Sequence, residues 1–149
     1  MVSIGIDPGI SGGIAAIGEN GLVVIAKKMP ETERDVCDFL SNFDSHSFAF
    51  IESVHAMPKQ GVSSTFKFGR NYGFLRGVLI ALQIPFQEVS PAVWQRKMEC
   101  LSHGDKNITK ARAQQLFPNV TVTHAVADAL LIAEHGRREY LSRETWGDI

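Results

Sequence analysis

The chain has 149 residues, of which 44% are hydrophobic and 21% charged, the composition of one globular domain with a substantial core. No apolar run reaches the ~18–20 residues of a membrane span, and the amino terminus lacks the basic residues of a signal peptide. The two cysteines, Cys37 and Cys100, are too few for a disulfide framework or a zinc site of their own. We therefore expect a single cytoplasmic domain over residues 1–149, in which residues 139–149 form a loosely held tail.

Positive charge is concentrated in the middle of the chain. Residues 53–112 carry nine Lys or Arg against three Asp or Glu, a net charge of +6, although the whole chain has a net charge of −1. A basic segment in a neutral chain suits a polyanion such as nucleic acid, but charge segregation of this size also arises by chance. The basic residues are Lys59, Lys67, Arg70, Arg76, Arg96, Lys97, Lys106, Lys110 and Arg112.

The first part of the chain predicts strands. Residues 2–7 alternate β-branched side chains and end at Asp7, where Pro8-Gly9 stops the strand. Two further strands, 13–17 and 22–27, are joined by Asn20-Gly21, the strongest short hairpin signal. Short apolar runs predict two later strands, at 48–52 and 86–89.

Helical periodicity separates and follows these later strands. The predicted helices are 31–43, 66 or 68 to 82, 91–98, 106–117 (capped by Asn107 or Thr109) and 123–138, with an irregular stretch over 53–65. Strands in hairpin order, followed by strands alternating with helices, predict an α/β fold. The expected architecture is a mixed five-stranded sheet, three strands antiparallel and then two parallel, flanked by helices.

Three carboxylates stand out against apolar surroundings. Asp7 and Glu52 each end an apolar strand, and Asp128 is the only charge in the apolar helix segment 125–133. An unpaired carboxylate in such a helix costs several kcal/mol, and no Lys or Arg lies within a turn of Asp128. A divalent cation shared by the three carboxylates is the economical solution, and Mg²⁺ suits such a ligand set. Two such ions ~3.5–4 Å apart can drive phosphodiester hydrolysis.

Two further features lie beside these carboxylates. His124 is four residues before Asp128, so both side chains project from one helix face. It can act as a base or a metal ligand, or simply face solvent. The glycines that follow Asp7 permit close approach to a phosphate, as in sugar-kinase and actin-like loops, but 149 residues cannot supply the two large domains of those ATPases.

Three motifs in order resemble the RuvC family of Holliday-junction resolvases: GIDPGISGGIAAI, IES, and HAVADALLIAEH. These are RNase H-like endonucleases that act as homodimers and nick four-way DNA junctions with Mg²⁺ or Mn²⁺. The resemblance spans residues 1–138 and implies that Asp7, Glu52 and Asp128 are catalytic metal ligands. It also implies an RNase H-like fold and a role in DNA recombination or repair in a bacterial or phage-infected cell, with recombination or replication machinery as further partners.

The sequence departs from the family pattern at two positions. The family's Asp or His three residues before the last Asp is replaced by Ala125, so His124 is the expected substitute. The family's junction-wedging aromatic is replaced by His55, and Met57 or Phe66 is the alternative wedge. The resemblance also implies DNA contacts by Lys110 and by Arg96 or Lys97. The predicted DNA-binding set is His55, Lys59, Lys67, Arg70, Arg96, Lys97 and Lys110.

A stripe of small residues recurs every four positions along the helix that ends at residue 82: Gly69, Gly73, Gly77 and Ala81. Glycine inside a helix costs up to ~1 kcal/mol relative to alanine, so the stripe has a packing purpose. It either seats the helix on its own sheet or meets a second copy, and the resemblance favours the second copy. The predicted dimer residues are Gly73, Phe74, Gly77, Val78 and Ala81.

The leading hypothesis is thus a crossover junction endodeoxyribonuclease that works as a homodimer with Mg²⁺, for which Mn²⁺ can substitute. One alternative is a nuclease acting on other branched DNA or on structured RNA. Another is a junction-binding module without activity, against which the intact Asp/Glu/Asp set argues.

Overall fold

A computed structural model describes the backbone of residues 1–147 and the side chains of residues 1–144. The predicted five-stranded mixed sheet is confirmed, with strand order β3-β2-β1-β4-β5. β1 and β2 pair antiparallel, as do β2 and β3, whereas β4 and β5 continue parallel to β1. The strands are β1 (Val2–Asp7), β2 (Gly13–Gly18), β3 (Val23–Lys28), β4 (Ser47–Glu52) and β5 (Phe86–Val89).

Helices cover both faces of the sheet, so the core has two halves. One half is built around α3, α4 and α5 and is centred on Trp94 and Leu130. The other lies under α1 and α2 and is centred on Leu40 and Leu75. The helices are α1 (Glu33–Leu40), α2 (Val62–Ala81), α3 (Pro91–Lys97), α4 (Lys106–Leu116) and α5 (His124–Gly147). Among the described residues, no helix has the length and apolar character that a bilayer crossing needs.

Helix α5 lies directly on the backbone of β1 and β2. A Cβ added at Gly5 would overlap the Ala129 carbonyl oxygen, and one at Gly13 would overlap the Ala125 carbonyl oxygen. Ser3 strengthens the packing, because its Oγ donates a hydrogen bond of 2.7 Å to the Ala133 carbonyl. Glycines on the strands therefore set the height and position of α5 above the sheet.

Several predicted boundaries were wrong. Helix α2 begins at Val62, inside the stretch predicted to be irregular, and its N-cap, Gly61, provides no side-chain hydrogen bond. Helix α4 is capped by Asp105, whose carboxylate accepts from the Asn107 backbone N–H, and not by Asn107 or Thr109. Helix α5 continues to Gly147, beyond the predicted end at residue 138. Residues 148–149 of the predicted tail lie outside the described residues.

Candidate active site

Asp7 and Glu52 lie side by side at the carboxyl end of the central strands. Ile6 of β1 pairs with Ile51 of the parallel strand β4, and each carboxylate is the next residue along its strand. Both side chains are half-buried. The register between β1 and β4 thus brings together two carboxylates that are far apart in the sequence.

Asp128 reaches the same end of the sheet from helix α5. The close packing of Ala129 on Gly5 fixes the neighbouring turn of the helix on β1. The charge of Asp128 acts on both strand carboxylates, raising the pKa of Asp7 and of Glu52. Three elements therefore place one carboxylate each within electrostatic range of the others.

Burial and repulsion between carboxylates work against negative charge on Asp7 and Glu52. Burial, and then the charges of Glu52 and Asp128, raise the pKa of Asp7 to about 8. Burial is also the largest cause that raises the pKa of Glu52. Among the described residues, none of the three carboxylates forms an ion pair within 4.0 Å. The arrangement favours a positive counter-charge.

Lys106 places a positive charge close enough to influence this cluster. Its charge lowers the pKa of Asp7 and of Glu52 against the stronger effects that raise them. Lys106 is the first residue of α4, where its side chain is exposed. The sequence placed Lys106 in the basic segment, but the predicted DNA-binding set included Lys110 instead, which is half-buried one turn later.

Trp94 was not predicted as a site residue. Its indole N–H donates a hydrogen bond of 2.7 Å to Oε2 of Glu52, and its side chain is 0% exposed. The sequence offers only a general signal for such a role, namely that a buried Trp usually needs a hydrogen-bond acceptor for its N–H.

The donor set meets part of what Mg²⁺ requires. The carboxylate oxygens of Asp7, Glu52 and Asp128 are hard ligands of the kind that Mg²⁺ takes. In the described part of the chain, however, no group of three or more His, Cys, Asp or Glu side chains is arranged to enclose an ion. The carboxylates fit an ion that completes its coordination with water and phosphate oxygens, as Mg²⁺ commonly does.

His124 is the first residue of α5 and is exposed. It precedes Asp128 by one helical turn, as the sequence predicts, so both lie on the same side of the helix. An exposed position leaves the imidazole accessible to solvent and to a substrate, and its role stays a prediction.

The predicted DNA-binding residues are not equally available. Arg96 is exposed and forms no ion pair among the described residues, whereas Nζ of Lys97 is 2.9 Å from Oε1 of Glu139. The first half of α2 lies next to the loop that follows Asp7, because a Cβ added at Gly9 in that loop would lie 3.6 Å from Cε1 of Phe68. Four more residues of the predicted DNA-binding set are exposed. Two lie between β4 and α2, and two lie on α2: His55, Lys59, Lys67 and Arg70.

The glycine stripe on α2 faces away from the protein's own sheet. A Cβ added at Gly69, Gly73 or Gly77 would meet nothing within 4 Å. The alternative that the stripe seats α2 on its own sheet is therefore wrong. One predicted dimer residue needs correction, because Val78 is 8% exposed and packs in the core under α2. Of the remaining predicted dimer residues that are not glycine, Phe74 is half-buried against the same core, whereas Ala81 is exposed.

Comparison with solved structures identifies the fold of this chain. The chain has the RNase H-like fold, with its five-stranded mixed sheet flanked by helices. No protein-family model matches the sequence, nor does any curated protein.

Within that class, the similar structures are Holliday junction resolvases. RuvC of Thermus thermophilus superposes with a TM-score of 0.64 at 17% identity, covering 97% of both chains. The same RuvC in complex with a Holliday junction substrate gives a TM-score of 0.68 at 17% identity, over 97% of this chain and 96% of that one. Fowlpox virus resolvase in complex with Holliday junction DNA gives a TM-score of 0.56 at 14% identity, over 92% and 99%.

Proposed function

We propose that this protein is a metal-dependent endonuclease that resolves four-way DNA junctions as a homodimer. The observation that carries the proposal is the convergence of Asp7, Glu52 and Asp128 at the carboxyl end of β1 and β4, without an ion pair among the described residues. The fold that the chain shares with structures described as Holliday junction resolvases supports this substrate class.

Each residue at the site has a distinct part in the proposal. Asp7, Glu52 and Asp128 would hold Mg²⁺, which when bound acidifies water and stabilises charge on a phosphate and a leaving oxygen. His124, exposed one turn from Asp128, is placed either to accept a proton from the attacking water at its imidazole nitrogen or to serve as a further metal ligand. Lys106 pairs with the non-bridging oxygens of the phosphate beside Asp7 and Glu52.

The stripe on α2 provides a surface for a second copy. The open glycines are continued at both ends by exposed apolar side chains: Phe66, 69% exposed, and Ile80, 63% exposed. A stripe without side-chain bulk lets another helix approach the backbone closely. A two-fold dimer through this stripe places two active sites in a fixed relation, which paired incisions require.

The proposal is tested by incubating the protein and Mg²⁺ with a synthetic four-way junction, a flap, a linear duplex and a structured RNA, side by side. We expect paired, symmetric nicks in the junction and little cleavage of the linear duplex. Preferential cleavage of the flap or the RNA would support the alternative nuclease. Binding of the junction with no cleavage of any substrate would support the module without activity.

Asp7→Asn is the matched control for these reactions. We expect it to abolish cleavage and leave junction affinity nearly unchanged, because affinity comes mainly from the pairing of Lys and Arg with phosphates. Cleavage is measured on gels, and affinity by fluorescence anisotropy. A decrease in affinity of more than about tenfold in a folded variant would contradict a purely catalytic role for Asp7.

A further inference from the structure

The three site carboxylates differ in how firmly they are held. Among the described residues, Glu52 is the only one of the three whose carboxylate accepts a hydrogen bond, and the donor is the indole of Trp94. The bond is 2.7 Å long and reaches Oε2 alone, so Oε1 accepts no hydrogen bond from the described part of the chain. One oxygen of Glu52 is therefore occupied from the core, and the other is open.

Strand pairing positions the acceptor of this hydrogen bond, Glu52, and a helix cap positions its donor, Trp94. Glu52 pairs with Val89 across the parallel strands β4 and β5, and the Ser53 N–H donates to the Val89 carbonyl at 2.8 Å. Ser90 follows directly and caps α3, where its carbonyl accepts from the Trp94 backbone N–H at 3.2 Å. A single residue thus separates α3 from the strand that neighbours Glu52, so the indole is placed by short, fixed connections.

The chemistry of the donor is also informative. A Lys or Arg at this position would neutralise Glu52 and compete with a cation for it. An indole N–H is neutral and donates only one hydrogen bond, so it orients the carboxylate while leaving its negative charge available. A donor behind a metal-binding carboxylate commonly fixes its orientation and strengthens binding.

We propose that Trp94 is a positioning residue that holds Glu52 as a one-oxygen ligand and so favours Mg²⁺ over Ca²⁺ at this site. Mg²⁺ takes six ligands in near-ideal octahedral geometry, whereas Ca²⁺ takes six to eight and readily uses both oxygens of a carboxylate. Trp94 engages one lone pair of Oε2 and fixes the orientation of the carboxylate, so turning both oxygens toward the larger ion would strain or break that hydrogen bond. This inference rests on the proposed metal-dependent function.

The test measures metal binding without DNA. Mg²⁺ and Ca²⁺ affinities are determined by calorimetry for the wild type, Trp94→Phe, Met98→Leu and Asp7→Asn. Trp94→Phe keeps an aromatic ring and removes the donor, while Met98→Leu alters the same fully buried core without changing any N–H donor to Glu52. In parallel, ¹H–¹⁵N spectra follow the indole N–H of Trp94, identified by its disappearance in Trp94→Phe.

We expect Trp94→Phe to weaken Mg²⁺ binding by about tenfold and Ca²⁺ binding by less, so that the preference for Mg²⁺ falls. Met98→Leu should keep the wild-type preference, and Mg²⁺ should shift the wild-type indole resonance with the midpoint found by calorimetry. An unchanged preference for Mg²⁺ over Ca²⁺ in folded Trp94→Phe, or an indole resonance unmoved at saturating Mg²⁺, would overturn the role of Trp94 but not the proposed function. Should Trp94→Phe not fold, the indole titration decides by itself. If neither the wild type nor Asp7→Asn binds Mg²⁺, the proposed metal-dependent function fails as well.

Discussion

His124 has two candidate roles, general base and metal ligand, which kinetic measurements can separate. It is exposed at the start of α5, one turn before Asp128. If its imidazole takes the proton of the attacking water, His124→Ala should slow cleavage by roughly 10²–10⁴-fold without changing junction affinity. If it is a metal ligand instead, the Mg²⁺ concentration for half-maximal rate should rise, and Mn²⁺ should restore much of the activity. Single-turnover rates across a metal titration separate the two roles, and a wild-type rate would exclude both.

Arg96 tests whether the basic segment binds DNA. Because it is exposed and outside the ion pairs of the described residues, Arg96→Ala should cost little stability. We expect it to weaken junction binding and to reduce the slope of log affinity against log salt by about one, since one phosphate would no longer be neutralised. Arg34→Ala is the matched control, because Arg34 is an exposed arginine of α1, outside the basic segment. Equal slopes for both variants and the wild type would show that Arg96 faces solvent only.

The sequence indicates which carboxylates form the candidate site but not which residues surround them. Asp7, Glu52 and Asp128 are recognisable because each is a charge within or at the end of an apolar element, and the sequence alone shows that contrast. Trp94 contacts Glu52, and the charge of Lys106 influences the cluster, only because α3 and α4 pack against α5. Their positions depend on packing between elements, which local pattern does not contain.

Among the elements, helix α2 carries the clearest unpartnered surface. Gly77→Leu places a bulky side chain where a Cβ meets nothing within 4 Å, so the monomer should fold normally. In a dimer joined at the stripe, the same side chain would hold the helices apart. We expect a monomer by multi-angle light scattering and no paired incisions.

Gly77→Ala is the control for that change. A single methyl group raises helix propensity by up to ~1 kcal/mol and adds little bulk, so it should weaken the dimer much less than leucine does. A wild-type protein that is monomeric on the junction, or a Gly77→Leu protein that stays dimeric, would exclude the stripe as the interface.

The ends of elements were predicted less well than their existence, for physical reasons that differ. Helix α2 starts at Val62 without a side-chain cap, so no residue type marks its beginning. Helix α5 extends beyond its apolar segment because residues distant in the sequence stabilise its polar last turns. Glu139 pairs with Lys97 at 2.9 Å, and the aromatic rings of residues 140 and 48 stack with centroids 5.0 Å apart. Such long-range interactions are not encoded in local periodicity.

At the scale of the whole molecule, α5 links the core to the candidate site. Its middle packs on β1 and β2, and its first turns carry His124 and Asp128. Its later turns reach the opposite end of the sheet, where Nη1 of Arg137 donates a hydrogen bond of 3.0 Å to the Glu19 carbonyl. Gly5 permits this arrangement, since the backbone of α5 occupies the space that a side chain would need. Stability and the spacing of the carboxylates should therefore change together.

Gly5→Ala tests this coupling. The added methyl group would overlap the Ala129 carbonyl, so α5 must move away from β1 and the free energy of unfolding should fall by about 1–3 kcal/mol or more. Because Asp128 moves with the helix while Asp7 stays on the strand, cleavage should fall further than the folded fraction does. Gly61→Ala, where a Cβ meets nothing within 4 Å, is the control and should lower the free energy of unfolding by at most about 1 kcal/mol, the cost of replacing a favoured N-cap residue. Urea denaturation and single-turnover cleavage give the two quantities. A Gly5→Ala protein as stable and as active as Gly61→Ala would show that the packing of α5 on β1 does not set the geometry of the carboxylates.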